Sequence, residues 1–398
     1  MKKHVLSLFL LFCSLFVNLP VIFAQNDLNE IDFEIGEKHK QGFMENYMGI
    51  INTDPNGYYC LRSEKKDDFG IVSYPRAVLH VDHYDTNLDF IKTTKLKGMK
   101  MGLMDNPSKT NFEFIVADSK NDLYVFYSKV DNKSKADQLF KAKLNKDDFL
   151  MESPELVLST GPHPGFKDRR GTYICQTSDD GSKMVIVSLL GRRTKANTYA
   201  LIHVMTNQFE DIYTKETSIP YSYKNAFGKI KDLVQEATPS RVGNKNTLAI
   251  SNDATVHLLI CVKNKKTRKS NYHILSFNEP NDIYVRNKLH SPELHPLDMI
   301  MTFQENGDLC CTGIYSKNKV IKRFDNLSFV TIDKDRLEIK MENLIELTND
   351  QKQAFFSENK GVAKKKRKKL AKGKDVNIDE FNLVDLIKHQ NGELTLIG

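Results

Sequence analysis

The chain holds 398 residues, 58 of them Lys or Arg against 51 Asp or Glu, with 40% apolar residues and no Trp. That length allows one large repeat domain or two ordinary ones. The apolar fraction, with 27% charged residues, excludes wholesale disorder, and 20 Gly with 12 Pro exclude a collagen-like or low-complexity chain.

At the amino terminus, Lys2 and Lys3 precede an almost unbroken apolar run from Val5 to Val17. Pro20 then breaks the segment, and Ala24 offers a small residue before Gln25. Positive, apolar and small-residue regions in that order predict a cleavable signal peptide over residues 1–24. The mature protein is then expected to be periplasmic, outer-membrane-associated or secreted. The apolar run falls short of the roughly 20 residues a spanning helix needs, so a retained anchor is disfavoured, and no transmembrane span is expected in the mature chain. Cys13 leaves with this segment. Cys60, Cys175, Cys261, Cys310 and Cys311 remain, in the contexts YYCL, YICQ, LICV and LCCTG. An odd count cannot pair completely, neither Cys-x-x-Cys nor a zinc spacing occurs, and a cysteine in a strand-like apolar run acts as a small buried hydrophobe.

Along the rest of the chain, a turn dipeptide rich in Asn, Asp and Gly is followed each time by a β-prone run. Asn56-Gly57 leads into YYCLRS, Asn121-Asp122 into LYVFYS, Asp180-Gly181 into SKMVIVSLL and Asp253-Ala254 into TVHLLICV. Asn306-Gly307 leads into DLCCTGIYS, and Asn391-Gly392 into ELTLIG. Such dipeptides favour the positive φ of tight hairpin turns, and the runs carry β-branched and aromatic residues. Counted from the second residue of each dipeptide, the intervals are 65, 59, 73, 53 and 85 residues. Outer hairpins are predicted in VLHVDHYDTNLDF from Val78, turning at Asp85 to Asn87, and in YALIHVMTNQFEDIYTK from Tyr199, turning at Thr206-Asn207. A third lies in NYHILSFNEPNDIYV from Asn271, turning at Asn278 to Asp282. Amphipathic crossover helices are almost missing; the best helix candidate starts at Thr348, where a capping box precedes Ala354, Phe355 and Phe356. The fold class is therefore all-β, a β-propeller of about six blades over residues 25–398, with two β-sandwich-like domains as the alternative.

The segment TSDDGSKMVIV, Thr177 to Val187, resembles the Ser-x-Asp-Gly-x-x-apolar signature of TolB-type and WD40-like propeller blades. It also partly matches the Asp-box of sialidase-type propellers, with Met184 where an aromatic is usual. More broadly, the chain is similar to a group of secreted Bacteroidota proteins of unknown function. The carrying segments are SIPY near Ser218, NYHILSF near Asn271, TGIYS at Thr312 and the ending NLVDLIKHQNGELTLIG. The resemblance implies compartment and fold, and no chemistry. Relatives of this kind continue past the last block, so the sixth blade is expected either to be incomplete at Gly398 or to be completed by the segment Ile31 to Ile51.

Charge is concentrated in one place. Residues 360–374 read KGVAKKKRKKLAKGK, with nine basic residues and no acidic one; without them the formal +7 becomes −2. The tract is an insertion between blades, and its centre, Lys364, Lys365, Lys366, Arg367, Lys368 and Lys369, is the candidate contact to an anionic surface such as lipid headgroups or lipopolysaccharide. No aromatic residue interleaves it, which disfavours nucleic acid. The plain alternative is a solvated, self-repelling loop.

No catalytic residue is nominated, and neither a cofactor nor a metal is expected. His80-Val81-Asp82-His83-Tyr84-Asp85 gathers potential ligands, but strand alternation puts His80 and Asp82 on one face and His83 and Asp85 on the other. His163, His290 and His295 lie beside prolines in predicted turns, no carboxylate pair stands out by context, and no Gly-x-Ser-x-Gly or His-Glu-x-x-His occurs. The reading favours an exported, non-enzymatic module that binds or scaffolds a protein or polymer at the cell envelope. The alternative is an exported hydrolase of glycans or peptides with its site on blade loops, which the missing Trp makes less favourable for sugars.

Overall fold

The computed structural model describes residues 45–66, 76–96, 110–131, 133–148, 150–161, 171–191, 197–226, 247–263, 270–279, 283–289, 294–317, 325–348, 368–369, 372, 385–388 and 394–397. The first four-stranded sheet is β1 (Glu45–Asp54), β2 (Gly57–Lys66), β3 (Arg76–Tyr84) and β4 (Phe90–Lys95). The second is β5 (Asn111–Ala117), β6 (Leu123–Val130), β7 (Asp137–Leu144) and β8 (Glu155–Thr160). The third is β9 (Thr172–Thr177), β10 (Lys183–Leu190), β11 (Thr198–Thr206) and β12 (Asp211–Ile219). A short helix, α1 (Tyr223–Ala226), precedes the fourth sheet of β13 (Leu248–Ile250), β14 (Val256–Lys263), β15 (Ser270–Asn278) and β16 (Ile283–Lys288). The fifth is β17 (His295–Phe303), β18 (Leu309–Ser316), β19 (Asn326–Ile332) and β20 (Ile339–Glu346). A two-stranded pair, β21 (Asp385–Lys388) and β22 (Leu394–Ile397), follows.

Every four-stranded sheet is an antiparallel meander in chain order, which is the blade unit of a β-propeller-like fold and not the two packed faces of a sandwich. The all-β, propeller-type expectation holds. Two compact units partition the chain, one spanning Glu34–Lys288 with β1 to β16, the other including Leu289–Gly398 with β17 to β22. One expectation is corrected: Glu45 to Ile51 cannot complete the sixth blade, because those residues are in β1, paired with β2 of the first sheet from Glu45↔Glu64 to Asp54↔Gly57. Residues 31–44, the proposed helix after Thr348, the expected signal peptide over residues 1–24 and the Asn391-Gly392 dipeptide lie outside the described residues.

Burial follows strand position. Second strands β10 and β18, KMVIVSLL and LCCTGIYS, are sealed on both faces and so read as near-continuous apolar runs. Outer strands β4, β12 and β20 alternate exposed and half-buried residues and carry Lys, Asp and Glu, as solvated edges do. In the unit Glu34–Lys288 the two faces of a strand serve two neighbours. Tyr59, Leu61, Leu79 and Val81 of the first sheet share one core with Phe112, Ile115, Leu123 and Val125 of the second. Phe114, Val116, Phe126 and Leu139 of the second pack with Tyr173, Cys175, Met184 and Ile186 of the third. Ile174, Val185 and Val187 then turn to Leu248, Ile250, Leu258, Leu275 and Phe277 of the fourth. Each such side chain, once sealed, contributes roughly 1.5–3 kcal/mol.

The predicted dipeptides are the turns between first and second strands. Gly57, Asn121, Gly181, Ala254 and Gly307 all have positive φ, from 60° at Asn121 to 125° at Gly57. Short side chains brace these turns: Asp118 Oδ1 accepts from the backbone N–H of Lys120 (2.8 Å) and Asp122 (2.9 Å), and Ser178 and Ser251 each accept a backbone N–H at 3.0 Å. The three outer hairpins also form where expected, as β3–β4, β11–β12 and β15–β16. Neighbouring turn ends are stitched together: Gln208 Nε2 donates to Ser119 Oγ at 2.8 Å, Tyr213 Oη to the Ala254 carbonyl at 3.0 Å, and Lys146 pairs with Asp54. The opposite ends carry the long connections, such as 96–110, 161–171 and 220–247. Cys60, Cys175, Cys261, Cys310 and Cys311 form no disulfide and lie in strands; burial pushes the Cys60 and Cys310 thiols up to about 11, so neither acts as a nucleophile.

Candidate functional site

Polar groups buried in the sheets are committed to holding strands together. Asp82 and Arg62 lie on one face of the first sheet, as alternation predicts for Asp82, and form a two-point ion pair. Arg62 Nε donates to Oδ2 at 2.7 Å and Nη2 to Oδ1 at 3.2 Å, and Thr93 adds its hydroxyl. His83, on the opposite face, stacks on Tyr59 with ring centroids 4.5 Å apart and an interplanar angle of 9°. The His80–Asp85 segment is therefore a set of structural contacts. His295 opens β17 opposite Ser316, while His163 and His290 lie outside the described residues.

At the long-loop end, Asp137 joins the second sheet to the third. Its Oδ2 accepts from the Gly171 N–H at 2.8 Å and from Tyr173 Oη at 3.0 Å. Burial first, then the Asp137 and Glu113 carboxylates, hold the Tyr173 phenol well above its ordinary range. Glu113 accepts from Ser128 Oγ at 2.7 Å. Sequence context gave no reason to pair these carboxylates, because Glu113 sits at a bulge between Phe112 and Phe114 that breaks the alternation. Asp137→Asn is expected to cost about 2–4 kcal/mol, because an amide cannot accept both bonds with a full charge. Urea unfolding checks this, and a loss below about 1 kcal/mol would show that the contact is dispensable.

His257 of β14 and Ser276 of β15 sit opposite each other, with Ser276 Oγ 2.9 Å from His257 Nδ1. Ser276 has no exposed surface, so no substrate reaches it and the pair is a cross-strand lock. Burial pushes the His257 imidazole down to about 4, only partly opposed by Asp253. The folded state therefore keeps His257 neutral while the unfolded chain, at its ordinary 6.5, takes up a proton. Stability present above pH 6.5 is expected to fall as pH drops toward 4, by about 3 kcal/mol from this residue, and His257→Gln should flatten that part of the profile. An unchanged slope in the variant would assign the acid sensitivity elsewhere.

The basic tract is described only in part. Lys368, Lys369 and Lys372 are exposed, and the Lys372 N–H donates to the Lys369 carbonyl at 3.1 Å. Lys364, Lys365, Lys366 and Arg367 lie outside the described residues.

A surface feature that motif scanning missed lies on the outer half of the fourth sheet. Pairing of β15 with β16 puts Lys288 opposite His273, Arg286 opposite Leu275 and Tyr284 opposite Phe277. Leu275 and Phe277 face the core shared with the third sheet, so the three outer residues extend that same face to its edge. Tyr221, following β12, closes the groove from the third sheet: Arg286 Nη1 lies 3.5 Å from Tyr221 Oη, and the Tyr221 ring lies 5.4 Å from the imidazole of His273 at 48°. Tyr284 packs on Phe277 (5.0 Å) yet stays 49% exposed. His273 is 8% exposed, its buried Nδ1 has no hydrogen-bond partner among the described residues, and burial, then Arg286 and Lys288, push it down to about 4. At neutral pH the groove therefore holds a neutral imidazole beneath two cations. The period-two run Tyr284, Arg286, Lys288 was a readable signal; that Tyr221 and His273 complete it was not.

No family model matches the sequence, and no curated protein matches it. Among solved structures the chain is similar to an ulvan lyase of polysaccharide lyase family 25, at 11% identity and a TM-score of 0.40 over 78% of this chain and 71% of that one. An α-L-arabinofuranosidase from Fusarium graminearum aligns at 9% identity and a TM-score of 0.36, over 73% and 72%. A protein from Lactobacillus plantarum aligns at 9% identity and a TM-score of 0.34, over 72% and 67%. Likeness at this level transfers no activity, and the fold assignment rests on the chain's own succession of four-stranded meanders.

Proposed function

We propose that the protein is an exported, non-enzymatic binding or scaffolding module for a polymer or protein at the cell envelope. The observation that carries the reading is the groove on the fourth sheet, where Arg286 and Lys288 have no carboxylate partner among the described residues and Tyr284 presents an exposed ring. Several other sheet cations do form ion pairs, as Lys141 does with Glu155 at 3.0 Å and Lys143 with Asp122 at 2.6 Å. Unmatched cations beside an exposed aromatic ring are chemistry for holding a partner, whereas the sealed Ser276–His257 pair and the Asp137 junction support the fold. Export is supported by Lys2, Lys3, the Val5–Val17 run and Ala24. The tract Lys364–Lys369 offers a second, salt-sensitive contact to an anionic surface.

Purified protein tested against glycan and peptide panels is expected to bind saturably and leave its ligands chemically unchanged. Reproducible turnover of any panel member, abolished in a heat-denatured control, would replace this reading with the hydrolase alternative.

A further inference from the structure

The geometry points to the groove formed by Tyr221, His273, Tyr284, Arg286 and Lys288 as the seat of an acidic glycan, a saccharide chain bearing carboxylate or sulfate groups; this rests on the binding reading above. Two features of the groove select that chemistry. The first is charge. Arg286 and Lys288 are two residues apart on one strand face, so they project side by side with a backbone spacing of about 7 Å, and a guanidinium fork matches the paired oxygens of a carboxylate or sulfate. The second is the exposed ring of Tyr284, backed by Phe277, whose electron-rich face accepts the C–H-rich face of a pyranose. Beneath them His273 is buried, with the Tyr221 ring 5.4 Å away, so it shapes the floor without touching the ligand.

The same features disfavour a nucleic acid strand. Sequence-tolerant binding of single strands uses successive stacking platforms, and here one ring is exposed while Tyr221 is half-buried and tilted against His273. A bare phosphate would use the cations and leave the aromatic face unanswered.

The test uses the full mature chain, with polygalacturonate as the carboxylated probe and heparin as the sulfated one. Dextran is the neutral control and an oligothymidylate the nucleic acid control. Calorimetry in low salt is expected to show binding to at least one acidic glycan, weakening as salt rises, and none to dextran. Arg286→Ala and Tyr284→Ala, both at exposed positions, should each weaken binding at least about tenfold with circular dichroism and melting unchanged, while Lys120→Ala on the opposite, tight-turn end should leave it within about twofold. Equal affinity of the Arg286→Ala protein and the unaltered one would overturn the site. If alanine replacement of Lys364 to Lys369 then abolished binding, the binding function would stand at the tract instead. Oligothymidylate binding that depends on Arg286, without glycan binding, would overturn the ligand class, as would failure of both acidic glycans to bind.

Discussion

Replacing Gly57 by alanine is expected to cost about 3–5 kcal/mol and to open the first sheet. Gly57 has φ of +125°, outside the small left-handed region that Asn and Asp tolerate, and a Cβ there would lie 1.9 Å from the Tyr84 carbonyl oxygen and 2.7 Å from Asp85 Cα. Both obstacles are backbone, part of the neighbouring β3–β4 turn that Asp85 braces through the N–H groups of Asn87 and Asp89 at 2.9 Å. No rotamer change relieves such a clash, so one of the two turns has to move. Gly181 is the matched control: its φ is +67° and a Cβ meets nothing within 4 Å, so Gly181→Asn should cost no more than about 1 kcal/mol. Chemical denaturation of the two variants, with limited proteolysis of the first sheet, measures the contrast. A Gly57→Ala loss similar to that of Gly181→Asn would mean that the turns are not packed as described.

The second large effect is expected at the Arg62–Asp82 pair, which ties β2, β3 and β4 across one face of the first sheet. Arg62 is 6% exposed and Asp82 fully buried, so neither charge is hydrated, and Arg62 Nη2 also donates to Thr93 Oγ1 at 3.1 Å. Asp82→Asn removes the counter-charge and leaves the guanidinium in a site that water does not reach, at a cost of about 3–5 kcal/mol. The double replacement Arg62→Met with Asp82→Leu should recover much of that loss, because two apolar side chains of similar volume avoid the desolvation that the ion pair only partly offsets. A double-mutant cycle by urea unfolding reads the coupling. If the single and double variants are equally destabilised, the contribution is packing and not charge pairing.

Both predictions bear on what was readable from residues alone. Gly57 stood out because a turn dipeptide before a β-prone run is local chemistry: the left-handed or extended-positive backbone belongs to that residue and its neighbours. The same locality exposed five of the recurring turns, the three outer hairpins and the two faces of β3, where alternation separated His80 and Asp82 from His83. Asp82 was placed on its correct face, but its partner was not, since Arg62 lies twenty residues earlier and meets it only through the β2–β3 register. Glu113 was hidden for a related reason, because a one-residue bulge shifts the parity of β5 and no periodic reading anticipates an inserted residue.

By itself, then, the sequence determined that the chain is all-β, where its tight turns and outer hairpins fall, and that its positive charge is concentrated in residues 360–374. These follow from backbone preferences and side-chain period, which act over a few residues. Only the tertiary structure decided that Tyr221 of one sheet meets His273 and Arg286 of the next, that Asp137 reaches Gly171 and Tyr173, and that Ser276 with His257 is sealed away from any substrate. Those contacts depend on how whole sheets register and pack, and that is set by burying the apolar faces between them, a collective term with no local signature.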